Sequence, residues 1–197
     1  MYRISMFIGL LIPFFALIIQ VLVYEVNDPI KYMYTFTGIC AIVLVFLTIT
    51  ISMIKKNINL MKYRRMIGLY TFFYAFLHFL VFFVLDAQLD VVFVIEESLD
   101  KPFVYLGMIA FLLLSFMAIT STKKLFKKYN KYHAAIYIVG AVITVHFVMA
   151  QKSLSQEQWL YLVLIFVIGC FKILQKNKSL NLQIFNNMFN KKNLIKG

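Results

Sequence analysis

The chain has 197 residues, of which 62% are hydrophobic and only 14% are charged, and its formal net charge is +12. Its mean hydropathy of +0.84 lies far outside the range of soluble globular proteins and excludes that class. The basic residues are divided among several loops instead of forming one face of a domain, so a nucleic-acid-binding module is also excluded.

Six apolar runs follow one another along the chain, each close to the roughly 20 residues that an α-helix needs to cross a bilayer. They cover residues 4–24, 33–54, 66–85, 103–120, 132–150 and 157–175. The first run has no small-residue cleavage site after it, so we expect a retained anchor that tolerates Pro13. The sequence predicts an all-α, polytopic membrane helix bundle with six transmembrane helices over residues 1–175. A basic, polar cytoplasmic tail over 176–197 is expected to follow it.

The lysines and arginines are distributed very unevenly between the two sides of this predicted bundle. Seventeen of the 20 basic residues lie at the chain start, between spans two and three, between spans four and five, or at the end of span six and beyond. The other three are Lys31, Lys101 and Lys152, and all eight acidic residues lie on their side. Because Lys and Arg are retained in the cytoplasm, we expect a multi-pass protein of the bacterial inner (cytoplasmic) membrane with both termini cytoplasmic. Anionic membrane lipid is the expected partner of the basic side.

Only three histidines occur, and all of them lie in or at the edge of predicted spans. An ionisable residue inside a membrane is costly and is therefore a functional candidate, although a neutral imidazole bonded to a neighbouring helix is the alternative. His78 lies 12 positions past Met66 in the third span, and His146 lies 14 positions past Tyr132 in the fifth. At 1.5 Å per residue, both are roughly 18–21 Å from the cytoplasmic edge.

Two imidazoles at matching depth on different helices can hold one metal-containing plate between them, as in bis-histidine ligation of haem b. A bare zinc or copper ion requires further ligands, which nothing else at this depth supplies. Nearby phenylalanines suit a haem but are equally ordinary in lipid-facing helices; they are Phe72, Phe73, Phe76, Phe79 and Phe147. We therefore predict that His78 and His146 are axial ligands of a haem iron.

A second site is predicted nearer the cytoplasmic edge. Arg64 lies 14 positions before His78, which returns it to within about 40° of the same helix face. His133 lies 13 positions before His146, roughly 140° away around a straight helix, so it would join this site only from a frayed start of span five. Simple cytoplasmic anchoring is the alternative explanation of Arg64 and Arg65. The candidate residues of an inner redox site are Arg64 and His133, with His133 as its candidate metal ligand.

Several short motifs occur in a fixed order along the chain. They are NDP…FTG (27–38), RRMIGL (64–69) with a histidine nine residues on, KPFVYLG (101–107), ITST (119–122), YHAAIY (132–137) and HFVMAQK (146–152). In order and spacing they resemble the MsrQ (YedZ) family, the haem-bearing membrane subunits of a methionine sulfoxide reductase system. This family lies within the ferric-reductase-like transmembrane group, and the resemblance covers nearly the whole chain.

The resemblance implies haem ligands at His78 and His146 and an essential histidine at His133. It also implies FMN as a possible second cofactor beside one or two b haems. Electrons would come from the quinone pool or a cytoplasmic flavin reductase, and a periplasmic molybdopterin-dependent methionine sulfoxide reductase would accept them. Such a system supports the repair of oxidised periplasmic proteins.

The chain carries no dinucleotide-binding or P-loop motif, so we expect an electron-transfer subunit of an oxidoreductase system and not a catalyst by itself. Two alternatives stay open. One is direct reduction of ferric iron or another metal ion at the surface, and the other is a small permease whose histidines bind a transported ion. The glycines, one in each predicted span, are typical of close helix packing.

Overall fold

The computed structural model describes residues 2–54, 60–151, 159–160, 162–170 and 174. This part of the chain contains no strand, and 5 of its helices are long and apolar enough to cross a membrane. Their bounds are Arg3–Val23, Pro29–Ile54, Lys62–Asp86, Pro102–Ile119 and Lys123–Ala150. Each of them overlaps one of the first five predicted spans, and several begin earlier than predicted. The all-α, polytopic membrane bundle is confirmed.

The chain divides into two compact units, residues 1–153 and 154–197. In the second unit, residues 159–160 and 162–170 are helical. The rest of the predicted sixth span and the predicted tail over 176–197 lie outside the described residues. The count of six spans and the boundary at 175 therefore stay predictions.

Within the described part of the first unit, the α-helices are α1 (Tyr2–Val23), α2 (Pro29–Ile54), α3 (Met61–Leu80), α4 (Val91–Asp100), α5 (Pro102–Ile119), α6 (Lys123–Tyr129) and α7 (Ile136–Ala150). A π-helical segment, Val81–Asp86, continues α3, and a 3₁₀ segment, Asn130–Ala135, joins α6 to α7. Pro29 and Pro102 occupy the first positions of α2 and α5. Proline is suited to this position because an N–H there would have no acceptor within the helix.

Four of the helices close into a ring. Helix α2 packs against α3 and α7, and α5 packs against the same two helices. Helix α1 lies outside the ring, against α2 and α3, while α4 packs on α5. The ring thus places α3, which carries His78, diagonally opposite α7, which carries His146. Side chains from both of these helices, such as Tyr74 and Val139, are almost completely buried.

Most serine and threonine hydroxyls of these helices, and that of Thr120 directly after α5, donate to a backbone carbonyl oxygen of the same helix. Ten of them donate to the carbonyl oxygen four residues earlier, at 2.6–3.0 Å; they are Thr35, Thr37, Thr48, Thr50, Ser52, Thr71, Ser98, Ser115, Thr120 and Thr144. Lipid offers no hydrogen-bond partner, so a hydroxyl in a span must find one inside the protein. These side chains need no acceptor on another helix.

Candidate functional site

His78 and His146 meet across the ring of helices. Their ring centroids are 6.3 Å apart and their ring planes are at 90°. A metal ion held between two facing imidazole nitrogens, about 2.0–2.1 Å from each, would separate the two ring centres by roughly 6 Å. His78 and His146, which were predicted as a pair from their matching depth, are therefore neighbours in space. Their separation suits one shared metal centre.

The Nδ1 atom of each histidine is paired with a backbone carbonyl of a neighbouring helix. His146 Nδ1 lies 2.6 Å from the carbonyl oxygen of Phe103 on α5, and His78 Nδ1 lies 3.1 Å from that of Tyr34 on α2. Because a carbonyl oxygen can only accept, Nδ1 carries the proton in both rings and donates it. Each Nε2 is then unprotonated, and its lone pair is available to a metal ion.

A glycine lies against each of these imidazoles. A Cβ atom at Gly38 of α2 would stand 3.2 Å from His78 Cε1, and one at Gly107 of α5 would stand 2.8 Å from His146 Cε1. Sequence reasoning attributed the glycines only to helix packing in general and so missed this role. The available signal was their position at the ends of the FTG and KPFVYLG motifs.

The donor set fits a haem better than a bare metal ion. Among the residues that the structure describes, no group of three or more His, Cys, Asp or Glu side chains could hold a metal ion. A bare zinc ion takes four ligands, at least three of them from protein. A haem iron needs only two axial ligands from protein, because the macrocycle supplies the other four. Two neutral imidazoles would complete the coordination of such an iron.

Phenylalanine side chains cluster where helix α3 packs against helix α5. The rings of Phe72, Phe76 and Phe79 stack on Phe111 of α5, with centroids 6.0, 6.4 and 4.7 Å away. Phe73 instead contacts Phe14 of α1 edge-on at 5.5 Å. Of the phenylalanines noted in the sequence, three thus share one aromatic cluster, whose common partner Phe111 sequence reasoning did not single out.

Arg64 and His133 line one cavity of about 330 Å³, called the inner cavity below. His133 lies in the 3₁₀ segment that precedes α7, and its Nε2 is 3.1 Å from the hydroxyl oxygen of Thr120. Arg64 Nε is buried and has no hydrogen-bond partner among the described residues. The structure therefore brings the two predicted inner-site residues together, with His133 outside the regular turns of α7.

The polar lining of the inner cavity is basic. It consists of Thr48, Arg64, Arg65, Ser121, Lys123 and His133, with apolar residues around them and no carboxylate among the lining residues. Arginine and lysine form their strongest hydrogen bonds with carboxylate or phosphate groups. The inner cavity therefore suits a ligand that carries an acidic group.

Comparison with known proteins bears on this arrangement. Residues 37–148 match the family model described as "Ferric reductase like transmembrane component", a range that contains Arg64 and all three histidines. The "Protein-methionine-sulfoxide reductase heme-binding subunit MsrQ" of Rhizobium meliloti is 34% identical over 145 residues, which cover 71% of this chain and 67% of that protein. The chain belongs to the MsrQ family.

Proteins of the same name from Brucella ovis and Brucella suis biovar 1 are each 34% identical over 144 residues, covering 70% of this chain and 66% of theirs. The chain thus spans about two thirds of the length of the curated relatives that it matches. No solved structure matches it. The family resemblance found in the motifs is confirmed, and the chain is a membrane protein of a ferric-reductase-like family.

Proposed function

We propose that this chain is an electron-transfer membrane protein in which His78 and His146 hold a b haem between α3 and α7. The observation that carries the proposal is the pairing of both Nδ1 atoms with carbonyl oxygens, because it leaves both Nε2 lone pairs available. Relatives named as heme-binding subunits support it. A bound haem supplies one-electron redox chemistry. Two axial imidazoles would leave no open position for a substrate, which favours electron transfer alone.

The cofactor content of purified protein tests this proposal. Wild-type protein is expected to carry b haem with a low-spin visible spectrum. His78→Ala and His146→Ala should lose or strongly change that spectrum, because each removes one axial ligand. His133→Ala removes a histidine outside the pair and is expected to keep this haem. If both variants of the pair retain the wild-type spectrum and haem content, the ligand assignment is wrong.

We further propose that the inner cavity holds a second cofactor, either FMN or a second b haem with His133 as a ligand. Its basic lining and the unpaired Nε of Arg64 support an anionic ligand, such as one with a phosphate or a carboxylate. The cavity volume of about 330 Å³ falls at the lower end of the roughly 300–1,000 Å³ of small-molecule sites.

Electrons are proposed to enter at the cytoplasmic side, from the quinone pool or a flavin reductase. The names of the relatives support a methionine sulfoxide reductase as the acceptor, and we propose that this acceptor is periplasmic and molybdopterin-dependent. The acidic surface near Asp86 is close to the histidine pair. Asp86 accepts a hydrogen bond from the hydroxyl of Tyr34 at 2.5 Å, and the Tyr34 ring is 5.4 Å from that of His78. A partner at this surface would therefore approach the proposed haem closely.

Vesicles of known orientation test the acceptor. After chemical reduction of the embedded protein, oxidised partner added on the periplasmic side should accelerate the loss of the reduced visible band. Partner added on the other side is the control and should have no effect. A rate that saturating partner does not raise above the partner-free rate contradicts this destination.

Direct reduction of metal ions is a second candidate, favoured by the ferric-reductase-like family match. In that case the reduced protein alone would convert chelated ferric iron to the ferrous state without any partner. A permease would instead be colourless when purified, so the cofactor measurement separates it from both redox functions.

A further inference from the structure

His78 and His146 each pack in the same way against a helix next to their own, His78 against α2 and His146 against α5. Gly38 lies four residues after Tyr34, whose carbonyl oxygen accepts from His78, and Gly107 lies four residues after Phe103, whose carbonyl oxygen accepts from His146. In an α-helix the Cβ of a residue leans towards the N-terminus and covers the preceding turn. A side chain at either glycine would therefore cover the carbonyl that the imidazole reaches.

The crowding falls on the hydrogen-bonding edge of each ring. A Cβ at Gly107 would stand 2.8 Å from Cε1 and 3.0 Å from Nδ1 of His146. A Cβ at Gly38 would stand 3.2 Å from Cε1 and 3.3 Å from Nδ1 of His78. Optimal separations between carbon atoms are about 3.5–4.0 Å. An alanine would thus displace the donating edge of the ring, more severely at Gly107 than at Gly38.

The other described glycines behave differently. A Cβ at Gly140 of α7 would stand 2.9 Å from Ile49 Cδ1 and would meet Phe46 next, so it is as crowded but meets no histidine. At Gly9, Gly68 and Gly169 a Cβ would meet nothing within 4 Å. Contact with an imidazole is therefore particular to Gly38 and Gly107 among the glycines of the described chain.

Thr37 gives His78 a second acceptor. Its hydroxyl donates to the carbonyl oxygen of Met33 at 2.6 Å, and its oxygen lies 3.3 Å from His78 Nδ1. Because the hydroxyl proton is engaged, the oxygen accepts from the ring N–H. Thr37 is 0% exposed, so no water competes for this contact. The proton of His78 is shared between two acceptors, whereas that of His146 goes to one carbonyl at 2.6 Å.

We propose that Gly38 and Gly107 are positioning residues for the haem ligands and that Thr37 adjusts the donor strength of His78. This inference rests on the proposed function. An imidazole whose N–H donates to an oxygen is a more basic ligand and stabilises the ferric state. Loss of that bond stabilises the ferrous state relative to the ferric one, so the midpoint potential of the one-electron couple rises.

Potentiometric titration of the visible spectrum, with haem content, tests the two glycines. Gly107→Ala is expected to lose haem and to raise the midpoint potential of what remains, and Gly38→Ala to do both to a smaller extent. Gly140→Ala controls for crowding within the bundle: thermal stability should fall while the potential stays at the wild-type value. Gly9→Ala should match wild type in both measurements.

Thr37→Val tests the acceptor without adding bulk. It keeps the shape of the side chain and should retain the haem and the low-spin spectrum while raising the midpoint potential. Thr37→Ser keeps the hydroxyl and should therefore keep the wild-type potential. This pair stays informative when Gly107→Ala protein fails to accumulate.

Wild-type potentials in Gly38→Ala and Thr37→Val overturn the proposal. An equal shift in Gly140→Ala also overturns it, because crowding alone would then explain the effect. Absence of haem from wild-type protein overturns the proposed function instead, so the two failures are distinguishable.

Discussion

At the scale of single residues, Arg64 has a buried side-chain donor for which the described residues supply no acceptor. Its Nε is buried without a partner, whereas the neighbouring Arg65 is exposed. Leaving a buried donor unpaired costs about 1–3 kcal/mol, and more for a charged group. An anionic ligand in the inner cavity would supply the missing acceptor and offset this cost.

Arg64→Gln is therefore expected to weaken the binding of FMN by about ten- to a hundredfold, because a hydrogen bond to a charged group contributes about 1.5–3 kcal/mol. Quenching of flavin fluorescence during a titration of the purified protein measures the dissociation constant. Lys62→Gln is the matched control, since Lys62 is exposed, lies over the ring of Tyr63 and is not among the residues that line the cavity. Equal dissociation constants for Arg64→Gln and wild type contradict the prediction.

The site was only partly accessible from the sequence. His78 and His146 stand out because an ionisable residue is rare in an apolar run, and counting along a helix gives its depth. Rotation and neighbours depend on packing, so Gly38 and Gly107 could not be assigned to these histidines. For His133 the count assumed a straight helix, whereas the structure has a 3₁₀ segment at that point, which changes the direction of the side chain.

At the scale of helices, α1 is attached to the ring by two tyrosines of α3. The hydroxyl of Tyr70 donates to the carbonyl oxygen of Phe7 at 3.0 Å, and that of Tyr74 donates to that of Leu10 at 2.7 Å. Pro13 lies inside α1 and has no N–H to offer the preceding turn. Most large apolar side chains of α1 are exposed, so these two bonds are among its few specific attachments.

Tyr74→Phe is expected to loosen α1 and to lower the midpoint of thermal unfolding in detergent. Hydrogen bonds between helices in membranes contribute about 0.6 kcal/mol on average and up to about 1.7 kcal/mol. We expect an effect in the upper part of that range, because the Tyr74 side chain is only 1% exposed. Tyr105→Phe, at a position that is 52% exposed, is the control. Should the two variants unfold at the same temperature, the bond to Leu10 contributes nothing measurable.

The long helices could be predicted from apolar runs, whereas the short ones could not. Helix α4 occupies what the sequence showed only as a connection, because ten residues are too few for a spanning run. Its cap was visible in principle: Asp90 Oδ1 accepts from the backbone N–H groups of Val92 and Phe93 at 2.8 and 3.2 Å. Helix α2 begins at Pro29, four residues before the predicted start, since Asp28 accepts from the N–H of Lys31.

At the scale of the whole first unit, basic residues gather at one end and acidic residues at the other. Arg64, Arg65 and Lys123 gather around the inner cavity. The exposed carboxylates of Asp86, Asp90, Glu96 and Asp100 lie in the connection after α3 and on α4. In the residues that the structure describes, the one ion pair, Lys101 with Glu97 at 2.6 Å, is also at this acidic end. The separation supports the proposal that the basic end is cytoplasmic.

Reporter fusions measure this orientation directly. Fusions after Met53, Lys124 and Lys176 are expected to report the cytoplasm, and fusions after Pro29, Asp90 and Ser155 the periplasm, because lysine-rich and arginine-rich loops are not translocated. Each site serves as the control for the next one along the chain. A periplasmic signal from the fusion after Lys124 would be incompatible with six spans in this orientation.

The serine and threonine hydroxyls that donate within their own helix have a consequence for biosynthesis. A span whose serines and threonines bond to their own backbone can leave the ribosome and enter lipid without waiting for a neighbour. The two histidines differ, because their acceptors lie on other helices, 44 residues earlier for His78 and 43 residues earlier for His146. Since chains are made from the N-terminus, α2 is synthesised before α3, and α5 before α7. Neither histidine therefore reaches the bilayer before its acceptor has been made.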